Sequence, residues 1–272
     1  NATQLRNMLP EKVDIPAEIM SGFKFKLSGF TDVVRISGQD LIESISQCYG
    51  RDGIEETIVL CRSNKRAIVY NNGIRNTILD REDELNRGEH LMIVKNNYYW
   101  TEHLAPEDRD SYLEYPSFIA NGDVAVVQRI RRSREMYGFR YVDVVLTFPD
   151  YDDIEMDVTL LLDTLHSESP SLTQQENERL FGNVMEDYIH IRSKKERMKQ
   201  LRENQYYNAI QVKYAYAITC HKAQGGQWKN VFIDQGYVPE GGRDADYGRW
   251  LYTALTRATE TIYLVNWPEK EI

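Results

Sequence analysis

The segment YAITCHKAQGGQ, residues 216–227, carries the strongest fold signal in the chain. An apolar run leads directly into small, hydroxyl, basic and glycine residues, a pattern that favours a phosphate-facing loop after a buried strand. Further along, LYTALTRA at 251–258 places an arginine beside an apolar helical stripe. Together the two stretches indicate an α/β sheet whose loops bind phosphate-bearing ligands.

The two stretches resemble motifs V and VI of superfamily 1 DNA helicases of the RecD-like or UvrD-like type. The resemblance implies a RecA-like parallel sheet and a motor that needs ATP and Mg²⁺. Such a motor holds phosphates in a Gly-rich loop ending in Gly-Lys-Ser/Thr, and these 272 residues contain none. We therefore expect the C-terminal part of a helicase, inactive alone, whose partner is the N-terminal RecA-like domain of the same protein.

The resemblance assigns the catalytic role to Arg257, as the arginine finger that reaches the γ-phosphate of ATP. A guanidinium offers planar, always-charged donors that suit the charge of phosphoryl transfer. Apolar residues recur at helical spacing through 251–258, so we expect Arg257 beside the buried face of a helix. The structural alternative for Arg257 is an ion pair on the helix surface. For Arg249 we expect a structural role.

The residues after the predicted strand Tyr214–Thr219 divide between two ligands. By resemblance, Thr219 and His221 contact single-stranded DNA, and a satisfied loop histidine is the alternative for His221. By resemblance, three further residues contact the nucleotide: Gln224, Gly225 and Gln227.

An earlier segment has the pattern of a strand, a turn and a helix. Residues 56–61 form a continuous apolar run, typical of a strand buried on both faces, and 65–80 has helical spacing. Arg62 and Asn64 then lie at the carboxyl edge of the sheet, where open α/β sheets bind ligands. We assign Arg62 to the nucleotide and Asn64 to DNA; as the alternatives, Arg62 pairs with a surface acid and Asn64 or Ser63 caps the helix.

Residues 88–130 carry a second likeness to RecD-like proteins. GEHLMIVKNNYYW is followed by an Asn-Gly-Asp turn at 121–123, and Gly122 suits a backbone with positive φ. Asn97 could place its amide against a nucleic-acid backbone, and a turn at the end of a strand is the alternative.

Alternating apolar residues at 124–130, 139–148 and 154–161 predict a small antiparallel barrel. A helical segment capped by Ser171 or Thr173 follows and ends near Glu203. With the family resemblance, which implies a RecA-like motor domain and an SH3-like inserted barrel, the predicted fold is an α/β RecA-like parallel sheet with an inserted SH3-like β-barrel and helical segment. We place the motor domain at 1–122 and 205–272 and the insertion at 123–204.

The composition of the chain, 42% hydrophobic with a net charge of -9, allows a buried core and argues against a protein that coats nucleic acid. The chain contains no apolar run of the roughly 20 residues that span a bilayer, so we expect no membrane partner. Three cysteines without CxxC spacing indicate no zinc site and fit a reducing cytoplasm. Within one basic run, Arg129 and Arg131 are candidates for DNA contacts, and a solvated face is the alternative.

Two other functions remain open from the sequence. The first is a degenerate RecA-like module that binds DNA or a protein without ATPase function. The second is an exonuclease, which needs clustered acids for metal-assisted cleavage. The acids of 150–157 alternate along a strand or loop without a companion His or Lys, which argues against this activity.

Overall fold

The computed structural model describes residues 2–8, 24–25, 27–103, 115–239 and 244–268. The chain forms two compact units. One comprises Asn1–Glu82 and Tyr216–Ile272, and the other comprises Asp83–Ala215.

The first unit contains a five-stranded parallel sheet in the order β1-β10-β9-β2-β8. Its strands are β1 (Val33–Ile36), β2 (Thr57–Cys61), β8 (Ala217–Thr219), β9 (Trp228–Asp234) and β10 (Ala258–Val265). Its helices are α1 (Ala2–Met8), α2 (Leu41–Asp52), α3 (Asn64–Thr77) and α7 (Ala245–Leu255). Every residue of β2 is buried, as a central strand of a parallel sheet requires.

Helix α3 begins where its sequence predicts. Ser63 is the N-cap, and its hydroxyl accepts a hydrogen bond from the backbone N–H of Arg66 at 3.3 Å. Helix α2 has Asp40 at its N-cap position, and Ser37 lies in the preceding turn. The Ser37 hydroxyl donates to the Asp40 carboxylate at 2.7 Å.

The second unit contains a closed barrel of five strands, β3-β4-β5-β6-β7. Its strands are β3 (His90–Ile93), β4 (Val124–Met136), β5 (Phe139–Phe148), β6 (Ile154–Leu161) and β7 (Ile210–Tyr214). The short helix α4 (Tyr99–Glu102) follows β3, while α5 (Gln174–Glu186) and α6 (Lys194–Arg202) lie between β6 and β7. The predicted fold class, a parallel α/β sheet with a small β-barrel, is confirmed.

The barrel takes more of the chain than its sequence pattern suggests. Strands β3 and β7 lie outside the predicted insertion 123–204, yet they pair with each other and close the barrel. The predicted strand Tyr214–Thr219 is in fact two elements, because β7 ends at Tyr214 and β8 starts at Ala217. The main sheet therefore resumes at Ala217.

Helices α5 and α6 form a hairpin that packs on one side of the barrel. A capping box starts α5, with Thr173 as the N-cap and Glu176 as its partner. Both helices bury apolar residues in a cluster that includes Leu180, Val184 and Leu201. No helix in the described ranges combines the length and apolar composition that crossing a bilayer requires.

Candidate nucleotide and nucleic-acid site

The loop 220–227 connects the carboxyl end of β8 to the amino end of β9. It is a compact turn, in which the backbone N–H of Lys222 donates to the carbonyl of Thr219 at 2.9 Å and that of Gly226 to Ala223 at 3.2 Å. Because β8 and β9 flank β2 as parallel neighbours, the loop passes from the carboxyl edge of the sheet, where the strands end, to the amino edge, where they begin. Along β2, these two edges are four residue steps apart, about 13 Å.

Both glycines of the loop are required by its geometry. Gly225 has φ +93°, a left-handed conformation that side chains rarely adopt. At Gly226, a Cβ atom would lie 2.4 Å from Cη2 of the Trp228 ring. Glycine therefore lets the backbone lie flat against this indole.

Arg257 lies between α7 and β10. The predicted helix over 251–258 ends at Leu255, so Arg257 belongs to the connection and not to the helix. Its Nε donates to the carbonyl of Thr253 at 3.1 Å, and Nη1 donates to the carbonyl of Gly226 at 3.2 Å. The Trp228 backbone N–H donates to the Arg257 carbonyl at 2.9 Å. The structure thus brings the two predicted motifs into direct contact at the amino edge of the sheet.

The polar side chains of the loop differ in exposure. His221, Gln224 and Gln227 are exposed, whereas Lys222 is half-buried and desolvation lowers the pKa of its ammonium. Cys220 is buried; burial raises the pKa of its thiol to about 12, against a smaller opposing effect of the Arg257 charge. The exposed groups are the ones available to a ligand.

Thr219 and His221 lie at the carboxyl edge. Thr219 pairs in register with Cys61, the last residue of β2, and the Cys220 N–H donates to the Cys61 carbonyl at 3.2 Å. Arg62 and Asn64 follow Cys61 directly, so the structure brings these four predicted residues to one edge. It separates Arg62 from the Arg257 end of the sheet, where the other nucleotide candidates lie.

Arg62 rests on an aromatic surface of α7. Its guanidinium carbon is 5.4 Å from the centre of the Tyr247 ring and 5.7 Å from that of Trp250. This contact fits a cation–π interaction and is not the surface ion pair considered as the alternative. Asn64 is the first residue of α3, and Ser63 provides the cap.

The sequence analysis missed an acid at the same edge. Asp234 ends β9, is 3% exposed and forms an ion pair with Arg66. The Tyr70 hydroxyl donates to the same carboxylate at 2.8 Å, and the pKa of Tyr70 is raised by burial first and by the Asp234 charge second. An acid ending the apolar run of β9 was the available signal for this cluster.

The remaining candidates belong to the barrel unit. The Asn97 Nδ2 donates to the carbonyl of Asn208 at 2.8 Å, and its Oδ1 accepts from the Trp100 N–H at 3.3 Å. These contacts favour the structural interpretation of Asn97. Arg131 pairs with Asp157 at 2.8 Å on the surface.

Arg129 follows a bulge in β4 and borders a cavity of about 320 Å³. The cavity lining consists of Arg87, Gln128, Arg129, Ile130, Val145 and Glu155. Among the described residues, no three His, Cys, Asp or Glu side chains are grouped to hold a metal ion.

A parallel α/β sheet with its ligand candidates on the bordering loops is the arrangement expected of a RecA-like domain. Residues 214–265, which include the loop 220–227 and Arg257, match the UvrD-like helicase C-terminal domain family. This part of the chain is therefore similar to a superfamily 1 helicase C-terminal domain, in agreement with the predicted resemblance. The assignment to the RecD-like branch stays a prediction.

Pif1 helicases are among the similar solved structures. The protein from Candida albicans is 14% identical, with 99% of this chain and 54% of that chain covered and a TM-score of 0.44. The protein from Bacteroides, in complex with ADP-AlF3 and ssDNA, is 13% identical, with coverages of 100% and 49% and a TM-score of 0.40. The chain thus spans about half the length of these structures.

A short segment is also similar to an uncharacterized protein of Methanocaldococcus jannaschii. The two are 37% identical over 60 residues, which is 22% of this chain and 5% of that protein.

Proposed function

We propose that this chain is the second motor domain of an ATP-dependent DNA helicase and that Arg257 is its arginine finger. The observation that carries the proposal is the hydrogen bond from the Arg257 guanidinium to the Gly226 carbonyl, at 3.2 Å. The carbonyls of Thr253 and Gly226 accept hydrogen bonds from the Arg257 side chain, and Arg257 is half-exposed. Such a preorganised cation suits the charge that develops on a transferring phosphoryl group.

ATP and Mg²⁺ would be held mainly by a P-loop-bearing RecA-like domain that these 272 residues do not include. In this arrangement Gln224, Gly225 and Gln227 approach the nucleotide from the Arg257 side of the sheet. Their exposure supports the assignment. The chain alone would not hydrolyse ATP, because no segment of it provides the phosphate-binding loop and its lysine.

Single-stranded DNA would bind at the carboxyl edge. Thr219 and His221 can donate hydrogen bonds to phosphates, and Asn64 lies at the same edge. We now assign Arg62 to this group as well, because it follows β2 at the carboxyl end and lies over α7 aromatics. On the barrel, Arg129 stays a candidate for a DNA contact, whereas Arg131 would first have to give up its pairing with Asp157.

A reducing compartment such as the cytoplasm is part of the proposal. Cys48, Cys61 and Cys220 are all free thiols and all buried. Buried thiols of this kind persist without pairing where disulfides do not form.

The test is Arg257→Ala in a protein that contains both motor domains. We expect ATP hydrolysis to fall by about three orders of magnitude, the range for loss of a finger arginine. Arg257→Lys should restore little, because a point charge does not reproduce the planar fork. Binding of single-stranded DNA should stay near that of the unmodified protein.

Arg249→Ala is the matched control. Arg249 lies in α7, is exposed, and pairs only with Asp246 of its own helix, at 2.6 Å, among the described ion pairs. Its loss should leave ATP hydrolysis within about twofold. If Arg257→Ala behaves like this control, Arg257 is not the finger and a binding module without ATPase function becomes the better account.

A further inference from the structure

The two basic runs of the barrel unit differ in how far acids neutralise them. In β4, Arg131 pairs with Asp157 and Arg134 pairs with Asp143. Residues 192–202 contain six cations, and among the described residues the only ion pair any of them forms is Lys199 with Glu203, at a marginal 4.0 Å. The second run therefore keeps its positive charge, although the whole chain carries -9.

Helix α6 arranges part of this charge in a stripe. Lys195, Lys199 and Arg202 follow the i, i+4, i+7 spacing of one helical face, and all three are exposed. The Cβ atoms of successive residues in the stripe are about 5–6 Å apart, one turn of the helix. The acids Glu196 and Glu203 lie on the adjoining side.

Packing and an N-cap hold the helix that carries the stripe. A neighbouring face of α6 buries Leu201 in the apolar cluster shared with α5, and Met198 packs against that cluster. Ser193 caps the helix, with its hydroxyl accepting from the Glu196 N–H at 3.3 Å. A rigid row of cations loses little conformational freedom when it binds a regular row of anions.

We propose that the stripe Lys195–Lys199–Arg202 binds the sugar-phosphate backbone of duplex DNA. Exposed cations at helical spacing, of which only Lys199 has an acid partner among the described residues, complement a phosphate backbone, the densest regular anion that a DNA motor meets. Sites for single strands usually add aromatic side chains that stack on bases, and the α6 sequence KKERMKQLR has none. The inference rests on the proposed function in taking DNA as the ligand.

The test compares the salt dependence of binding to a random-sequence duplex and to a single strand, using the full chain. Lys195→Gln, Lys199→Gln and Arg202→Gln are introduced together, and the charge-conserving variant Lys195→Arg, Lys199→Arg and Arg202→Lys is the control. For the neutral variant, we expect the slope of log K against log salt on duplex to fall by about 2.7, or 0.9 for each lost contact. The control should keep the slope of the unmodified protein, because it conserves all three charges, and the single-strand slope should not change.

An unchanged duplex slope in the neutral variant would overturn the proposal. A loss seen with the single strand instead would show that the stripe holds the other form of DNA. Either failure is separate from failure of the motor assignment, which the Arg257 variants measure through ATP hydrolysis. Circular dichroism of the three proteins checks that α6 remains folded, since all the substituted residues are good helix formers.

Discussion

Replacing Asn71 by Ala should destabilise the parallel-sheet unit, because this side chain completes the edge strand β8. Asn71 is 4% exposed and lies on α3. Its Oδ1 accepts from the N–H groups of Tyr216 and Ala217 at 3.1 and 2.8 Å, and its Nδ2 donates to the Ala217 carbonyl at 2.8 Å. An amide side chain thus takes the place of a missing neighbouring strand.

The expected loss follows from these three hydrogen bonds. Each contributes roughly 0.5–1.5 kcal/mol net, and buried backbone groups left without partners add to the cost. We expect Asn71→Ala to lower the free energy of unfolding by about 2–4 kcal/mol. Asn76→Ala, an exposed position of the same helix, should change it by less than about 0.5 kcal/mol.

Hydrogen exchange at individual segments is the suitable assay, since two compact units need not unfold together. Peptides covering 214–219 should exchange about 30- to 700-fold faster in Asn71→Ala, because each 1.4 kcal/mol is a factor of ten. Peptides of the barrel strands β5 and β6 should keep their rates. Equal exchange of 214–219 in the Asn71 and Asn76 variants would refute the reasoning.

The variant Asn71→Asp tests the direction in which pH should change the stability of this unit. The new carboxyl group could accept from both N–H groups, but only its protonated form could donate to the Ala217 carbonyl. Its pKa in the folded state should therefore rise above the ordinary Asp value of about 3.9. The stability that protonation supplies is then full below that value and is lost as the pH rises through the folded-state pKa.

Three further predictions concern other parts of the chain. Thr173→Ala should cost α5 about 0.5–2 kcal/mol by removing the capping box, with Ser171→Ala as the control. Hydrogen bonds from Thr173 lower the pKa of Glu176, so this stability is present above the ordinary pKa of Glu and is lost as the pH falls. Thermal melts at about pH 7 and about pH 3 should show that the difference in stability between Thr173→Ala and the unmodified protein shrinks in acid. Gly226→Ala should cost about 1–3 kcal/mol in thermal unfolding, because its Cβ would collide with Trp228. Iodoacetamide at about pH 8 should label native Cys220 at least about a hundredfold more slowly than the denatured chain, because burial raises the pKa of its thiol to about 12.

The sequence predicted elements where local pattern and tertiary environment agree. The continuous apolar run of β2 and the alternating strands β4, β5 and β6 are of this kind, as is the Ser63 cap. The sequence did not predict the break between β7 and β8. The bend at Ala215 and Tyr216 contains neither Gly nor Pro, and it does not interrupt the hydrophobic periodicity of the segment. The two strands are separated by their partners, since β7 pairs with β3 and β6 in the barrel and β8 pairs with β2 in the parallel sheet.

Long-range partners account for most of what was missed at the candidate site. Arg131 and Asp157 are 26 residues apart, and irregular register in β4 changes which residues oppose each other. The Arg66 and Asp234 pair likewise joins a helix to the end of a distant strand. Residue type and spacing can nominate such side chains, but only the assembled sheet decides whether their charges are already neutralised.

The loop 220–227 offers a physical route for coupling between the two proposed ligands. Its ends lie at opposite edges of the sheet, with Thr219 next to Cys61 and Gly226 under the Arg257 guanidinium. Backbone hydrogen bonds connect the two ends, from Ala223 to Thr219 at 3.3 Å and from Gly226 to Ala223 at 3.2 Å. A movement of Arg257 onto a γ-phosphate would pull on the Gly226 carbonyl, and the turn would pass that displacement toward Thr219 and His221. The coupling would thus need no element beyond this one turn and the contact that closes it.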